Sequence, residues 1–182
     1  MGRSYYYFAA SLPMLDFNGK APMSTDEFLN NCENLLQAAD YKLVRAVLLN
    51  EDITTVNNAC IRRWVDFNRA FLNEQVVVRA EKAGKDPLDY LRGGRAFEQK
   101  MSDVIQQAVK NPNLLEGTKL LDQFRWQFLD ELAEGQYFNL EFILIYGLRL
   151  SIMEKYELYA SARGGEIFKE YHNIHVPVLE KI

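Results

Sequence analysis

In this 182-residue sequence, the residues best suited to bind an anion form a turn of two glycines between two arginines, Arg92-Gly93-Gly94-Arg95. Because glycine has no side chain, such a turn can direct backbone amides outward between two guanidinium groups. That arrangement suits an anion or the carboxylate of a partner protein. The simpler interpretation is a helix break flanked by solvated arginines. The sequence therefore makes these four residues a candidate polar contact.

A second candidate is the aromatic run Tyr5-Tyr6-Tyr7-Phe8 near the N-terminus. Four adjacent aromatic residues in an extended segment cannot all face one core, so some of them are expected to contact a neighbouring helix or a partner. A purely structural role is equally open, because a tyrosine can bury its ring and keep its hydroxyl in water. We therefore predict Tyr5, Tyr6 and Tyr7 as candidate partner-binding residues.

Metal ligands and nucleophiles are sparse. The only two histidines, His172 and His175, fall short of the four ligands of a closed metal site. Neither of them has a glutamate three positions before it, as a di-iron bundle requires. Cys32 and Cys60 lie on predicted buried helix faces, where the reactivity of a thiol falls. The sequence predicts no metal site and no cofactor.

Phosphate loops and paired catalytic carboxylates are also missing from the sequence pattern. The Gly-Lys pairs Gly19-Lys20 and Gly84-Lys85 are not followed by Ser or Thr, and neither has the preceding glycine of a phosphate loop. Asp130-Glu131 with Glu134 could in principle transfer protons, but an acidic helix end before a glycine is typical of a solvated surface. We therefore expect that the protein is not an enzyme.

Composition and charge narrow the function classes further. The chain has 21 basic and 25 acidic residues, a net charge of -4, which argues against a nucleic-acid-binding surface. The longest apolar stretch, Phe138 to Met153, is shorter than a bilayer span and contains Glu141 and Arg149. The N-terminal aromatic run resembles a signal peptide poorly, because one basic residue precedes it and Pro13 follows. A soluble, cytoplasmic protein is expected.

Helical periodicity runs through most of the sequence. Glycine and proline are few, at 10 and 5 residues, and no segment shows the alternation of a strand. Ser24 to Glu27 form a capping box, while Gly84 and Asn139 are expected to end and begin helices. The fold prediction is an all-α, multi-helical bundle of six to eight helices. Its predicted core includes Phe28, Leu35, Trp64, Phe67, Phe71, Phe124, Phe128 and Met153.

No linker divides the sequence, so residues 1–182 are expected to form a single all-helical domain, with a subdivision near 93–112 as the alternative. A weak internal similarity relates Arg63-Trp64 to Arg125-Trp126, since each pair lies toward the end of a predicted buried helix face. Such a similarity is compatible with two related helical units, although two matches of this kind also arise by chance.

Several blocks, taken in order, carry a family resemblance. They are Tyr5 to Pro13, Glu27-Phe28-Leu29, Trp64 to Asn68, Arg79-Ala80, Asp86-Pro87, Tyr90 to Gly93, Leu121-Asp122 with Arg125-Trp126, and Tyr146 to Glu154. Together they resemble an uncharacterised bacterial family encoded beside V-type ATPase genes. That family is itself similar, more remotely, to the C-type subunit of V-type ATP synthases, which in eukaryotic enzymes is called the d-type subunit.

This resemblance implies a non-catalytic subunit or accessory protein of a rotary ATPase. The C-type subunit is an all-α funnel of repeated helical units that sits on the rotor ring and receives the central stalk. The implied partners are therefore central-stalk or rotor-ring subunits, and membrane association would be peripheral, through the complex. Because the C-type subunit is longer and has three repeats, 182 residues would suit a shortened analogue. The alternatives are a free-standing helical adaptor, or a ligand-binding protein or enzyme whose site is not visible in sequence.

Overall fold

The computed structural model describes residues 5–51, 58–93 and 98–160, and these residues form helices and loops without strands. Within these three ranges there are seven α-helices: α1 (Tyr6–Ser11), α2 (Thr25–Leu35), α3 (Ala38–Leu48), α4 (Ala59–Lys82), α5 (Gln99–Lys110), α6 (Leu114–Ala133) and α7 (Leu140–Ala160). A 3-10 turn, Pro87–Tyr90, follows α4. The prediction of an all-α bundle with six to eight helices is confirmed.

Short-range signals in the sequence set several helix ends. The Ser24 side chain accepts a hydrogen bond from the Glu27 amide at 3.1 Å, and Asn139 accepts one from the Phe142 amide at the same distance. Gly84 follows α4 with a φ of +65°, a left-handed conformation that glycine adopts without steric cost. The predicted roles of Ser24, Gly84 and Asn139 are therefore confirmed.

Two segments differ from the sequence prediction. The sequence predicts an extended aromatic run, but Tyr6–Ser11 is a short helix that buries Phe8 and Ala9. It ends at Leu12, whose backbone is extended, as is usual before a proline. The sequence also predicts a helix from Asp86-Pro87, with the aspartate as cap and the proline in the first turn. The structure has only one 3-10 turn there, which Asp86 does cap by accepting from the Leu88 amide at 2.9 Å.

Helix α7 is surrounded on most sides, because the consecutive residues Ile143, Leu144 and Ile145 are all buried. It packs against α2, α3 and α6. At Gly147 the approach is so close that an added Cβ would lie 2.7 Å from Phe28 Cε1 and 2.8 Å from Leu48 Cδ1. The sequence of this helix is apolar on most sides, which predicts a central position in the bundle, and the structure confirms it.

Most of the predicted core is buried, with two exceptions. Phe28, Trp64, Phe67, Phe71, Phe124 and Met153 are buried, and Phe128 is half-buried. The prediction of a buried Leu35 is wrong, since this side chain is 56% exposed. The reason is that α2 ends there, and the extended residue Leu36 takes the inward position instead.

The N-terminal loop is attached to the last described helix by two glutamates. The Thr25 amide at the start of α2 donates to Glu154 at 3.0 Å, and the Ala21 amide donates to Glu157 at 2.8 Å. Both glutamates belong to α7. A carboxylate at a helix N-terminus satisfies a free amide and interacts favourably with the helix dipole. These bonds fix residues 21–25 on α7.

Candidate docking surfaces

The predicted Arg92 turn is held on α4 by a buried asparagine. Asn73 donates through Nδ2 to the Arg92 carbonyl and accepts through Oδ1 from the Arg92 amide, both at 3.0 Å. The side-chain amide of Asn73 thus bonds both the N–H and the C=O of Arg92, as the backbone of a neighbouring strand would. The backbone of the turn is therefore fixed, while the side chain of Arg92 stays exposed. Gly93 has a φ of +74°. Gly94 and Arg95, the other half of the predicted turn, lie outside the described residues.

Arg92 lies at the edge of a cavity of about 600 Å³, here called the arginine cleft. The cleft lies between the end of α3, one side of α4, the Arg92 turn and α6, and it is lined by Val47, Asn50, Glu51, Trp64, Val65, Asn68, Arg69, Leu72, Asn73, Arg92 and Arg125. Sequence reasoning predicted Arg92 as a contact but missed Arg69 and Arg125, which the fold brings to the same cavity.

Arg125 is the most heavily desolvated of the three arginines. Its guanidinium donates to the Asn68 side-chain oxygen, and its Nη1 lies 3.7 Å from Asp122 Oδ1. The guanidinium carbon is 5.7 Å from the Trp64 ring centroid and 5.5 Å from that of Phe71, distances at which a cation interacts with a ring. Burial lowers the pKa of Arg125 because the charged form loses water.

Asp122 joins α6 to α7 from a buried position. Its Oδ2 accepts from Lys155 Nζ at 2.5 Å and from the Tyr156 hydroxyl at 3.0 Å. The Asp122 side chain is only 3% exposed, so these donors take the place of its lost hydration. The Leu121-Asp122 and Arg125-Trp126 blocks thus contain polar contacts that join α6 to both α4 and α7.

A second surface carries exposed aromatic rings and is here called the aromatic patch, formed by Tyr6, Tyr7, Tyr137 and Phe138. The Tyr6 and Phe138 ring centroids are 4.6 Å apart, and those of Tyr6 and Tyr7 are 5.6 Å apart. Tyr7 is 87% exposed and Tyr137 is 67% exposed. Sequence reasoning missed Tyr137 and Phe138, although two aromatic residues between Gly135 and Asn139 were a visible signal.

Tyr5 has a different environment from the two tyrosines that follow it. Its hydroxyl donates to Asp40 on α3, and its amide donates to the Phe138 carbonyl at 2.5 Å. The predicted tyrosine triplet is therefore divided: Tyr5 anchors the N-terminal segment, whereas Tyr6 and Tyr7 extend into solvent.

The thiols have the environment expected of unreactive cysteines. Burial raises the pKa of Cys32 to about 12 and that of Cys60 to about 11, the latter with a smaller contribution from Glu141. A thiol with so high a pKa is almost entirely protonated near neutral pH and is a poor nucleophile. Over the described ranges, no three or more His, Cys, Asp or Glu side chains come together as a metal site would need. His172 and His175 lie outside those ranges.

Comparison with known proteins identifies the family. Residues 51–174 match the model of a family described as a protein of unknown function (DUF2764). The chain belongs to this family. The match includes Arg69, Arg92 and Arg125 of the arginine cleft, whereas Tyr6 and Tyr7 precede it. No curated protein and no solved structure matches the chain.

Among the described helices of this DUF2764 chain, none combines the length and apolar character that crossing a bilayer would require.

Proposed function

We propose that this DUF2764 protein is a non-catalytic subunit or accessory protein of a V-type ATPase. It docks on the central stalk or the rotor ring and supports the coupling of ATP hydrolysis or synthesis to ion transport. Two lines of support lead to this proposal: the ordered blocks that resemble a family encoded beside V-type ATPase genes, and the aromatic patch, which is the observation that carries the docking role.

The aromatic patch has the composition of a protein-binding surface. Tyrosine and phenylalanine are enriched in the centres of protein interfaces, where a large ring is buried at little cost in conformational entropy. Tyr7 and Tyr137 expose most of their surface, and Phe138 is 42% exposed beside them. Neighbouring exposed rings of this kind mark an interaction site more often than scattered apolar residues do.

The patch is also held in place before any partner binds. Its two halves come from opposite parts of the chain, and the hydrogen bond from the Tyr5 amide to the Phe138 carbonyl joins them. Because the backbone is already ordered on both sides, docking would cost less conformational entropy than ordering a free segment. Such a surface suits a persistent interface within a larger complex.

The experiment is purification of the tagged protein from its own cells, followed by identification of the proteins that accompany it. We expect V-type ATPase stalk or rotor-ring subunits to be enriched with the wild type. The double variant Tyr7→Ser/Tyr137→Ser should lose them, because it removes two exposed rings without touching the buried core. Ion pumping by membranes should fall when the gene is deleted.

Leu114→Ser is the matched control for this variant. Leu114 is 78% exposed and is the first residue of α6, whereas Tyr137 and Phe138 of the patch follow the last residue of that helix. A helix of 20 residues is about 30 Å long, so the control lies far from the patch. The control should keep the ATPase subunits. If no component of the ATPase accompanies the wild type and pumping is normal without it, the proposal fails. Enrichment of unrelated proteins through the same patch would then favour a free-standing helical adaptor.

A further inference from the structure

The arginine cleft has a charge opposite to that of the whole chain. The protein has a net charge of -4, yet among the described residues that line the cleft there are three arginines and one carboxylate. The carboxylate, Glu51, already pairs with Arg45 at 3.3 Å. A local positive site on an acidic protein favours an acidic ligand at short range, while repulsion from the rest of the surface disfavours non-specific acidic binding.

Arg125 contributes a guanidinium whose pairing within the protein is incomplete. Its Nε is buried, and no acceptor within the described part of the chain bonds to it. Its ion pair with Asp122 is long, with 3.7 Å between Nη1 and Oδ1, and Asp122 is shared, because its other oxygen accepts from Lys155 and Tyr156. The charged form of a desolvated and incompletely paired arginine is stabilised when an anion enters the cleft beside it.

Arg92 contributes a second guanidinium at the exposed edge of the cleft. Over residues 5–51, 58–93 and 98–160, no carboxylate forms an ion pair with it. Its backbone is fixed by the two bonds to Asn73, so only the side chain must be ordered when a ligand binds. The third arginine, Arg69, pairs with Asp66 at 2.7 Å at the surface.

We propose that the arginine cleft binds an acidic side chain, Asp or Glu, of the docking partner. Its carboxylate would lie between Arg92 and Arg125. This inference rests on the proposed docking function and assigns the residues that recognise the partner. We choose a carboxylate rather than a phosphate because Asp and Glu are the anionic side chains that an unmodified protein partner presents, and an arginine can pair with a carboxylate through two hydrogen bonds. The apolar lining residues Val47, Val65 and Leu72 suit the polypeptide on either side of the acidic residue.

The direct test uses glutarate as a soluble carboxylate probe and the intact, isotope-labelled protein. We expect the Arg125 Nε–H and Gly93 amide signals in the nuclear magnetic resonance spectrum to shift as glutarate is added. Sodium chloride at equal ionic strength should leave them in place. Inorganic phosphate serves as a second probe. Larger shifts with phosphate than with glutarate would overturn the choice of ligand.

Arg149 provides an internal control within the same spectrum. It too has a buried Nε and pairs with a carboxylate, that of Asp130. Its guanidinium carbon lies 5.4 Å from the centroid of the Trp126 ring. Arg149 does not line the cleft. Its Nε–H signal should not move with glutarate. Equal shifts at Arg125 and Arg149 would show a general effect of the anion and would contradict the site.

The variant Arg92→Gln should weaken glutarate binding about tenfold, as expected for the loss of one charge-assisted hydrogen bond. It keeps the backbone bonds to Asn73, so the fold should be unchanged. Arg79→Gln is the matched control, because Arg79 is an exposed arginine of the same helix as Arg69 but outside the cleft. Equal affinity of the two variants would exclude Arg92 from the site.

Native purification of the same two variants separates this inference from the proposed function. If glutarate binds in the cleft but no component of the ATPase accompanies the wild type, the carboxylate site stands and the ATPase assignment fails. If ATPase subunits accompany Arg92→Gln as fully as Arg79→Gln, the cleft does not recognise the partner, and the docking proposal stands on the aromatic patch alone.

Discussion

The guanidinium of Arg125 on α6 donates to the side-chain oxygen of Asn68 on α4, across 57 positions of the sequence. This bond aligns the two helices, and it also fixes the arginine on the wall of the arginine cleft. One side chain therefore serves both the core and the candidate site. Replacing Arg125 would disturb packing and binding together, which is why the exposed Arg92 is the better residue for a functional test.

Trp64→Ala should lower the free energy of unfolding by ~3–5 kcal/mol, because truncating a buried aromatic ring leaves a cavity. Trp64 is 8% exposed and stacks with Phe67 and Phe128 at centroid distances of 5.9 and 6.5 Å. Urea unfolding measures the change. Leu35→Ala, at a 56% exposed position, should cost less than ~0.5 kcal/mol. Equal costs would contradict the burial of the tryptophan.

Asp122→Asn should destabilise the protein by about 3 kcal/mol, because it removes the buried negative charge beside Lys155 and Arg125. The matched change is Asp66→Asn, which breaks an exposed pair with Arg69 and should cost ~0–1 kcal/mol. Chemical denaturation of both variants checks this difference. A negligible effect of Asp122→Asn would mean that the contacts of Asp122 with Lys155 and Tyr156 do not stabilise the packing of α6 against α7.

Gly147→Ala should destabilise the protein by ~1–3 kcal/mol, although alanine is the better helix former by ~1 kcal/mol. The sign is reversed because the new methyl group would lie within 3 Å of Phe28 and Leu48 side-chain atoms. Adding Leu48→Ala should recover part of the loss, and a double-mutant cycle measures the coupling. If Gly147→Ala alone stabilises the protein, α7 must lie farther from α2 and α3 than the structure shows.

Stability should fall as pH rises from about 8.5 to 10, because unfolded thiols release protons in this range while folded Cys32 and Cys60 remain protonated. Below about pH 8 the thiols are protonated in both states, so they add no pH dependence. Urea midpoints at pH 8, 9 and 10 measure the slope. Cys32→Ala should reduce the slope, whatever it does to stability at pH 8. An unchanged slope would contradict the burial of this thiol.

The parts of the fold that follow from short-range patterns were predictable from sequence. The spacing of Trp64, Phe67 and Phe71 places them on one buried helix face, and Ser24 and Asn139 cap helices through residues three positions away. The short helix α1 was not predictable in this way. A six-residue helix has little stability of its own, so the burial of Phe8 against the rest of the core decides its conformation.

Only some residues of each candidate surface could be predicted from the sequence. Arg92 and the N-terminal tyrosines could be chosen by residue type, but their neighbours come from distant segments. Arg125 reaches the cleft through a contact with α4, and Phe138 reaches Tyr6 through the loop before α7. Composition and local spacing contain no information about such pairs, since packing of whole helices brings them together.

The attachment of the N-terminal loop to α7 has a consequence for biosynthesis. Thr25 and Glu154 are 129 residues apart in the chain, so the ribosome makes the amide long before its carboxylate acceptor. At ordinary elongation rates the interval is on the order of ten seconds. During that time the inward face of α2, including Phe28, lacks its α7 neighbour Tyr146. This face of α2 is therefore expected to depend on chaperones until α7 has been made.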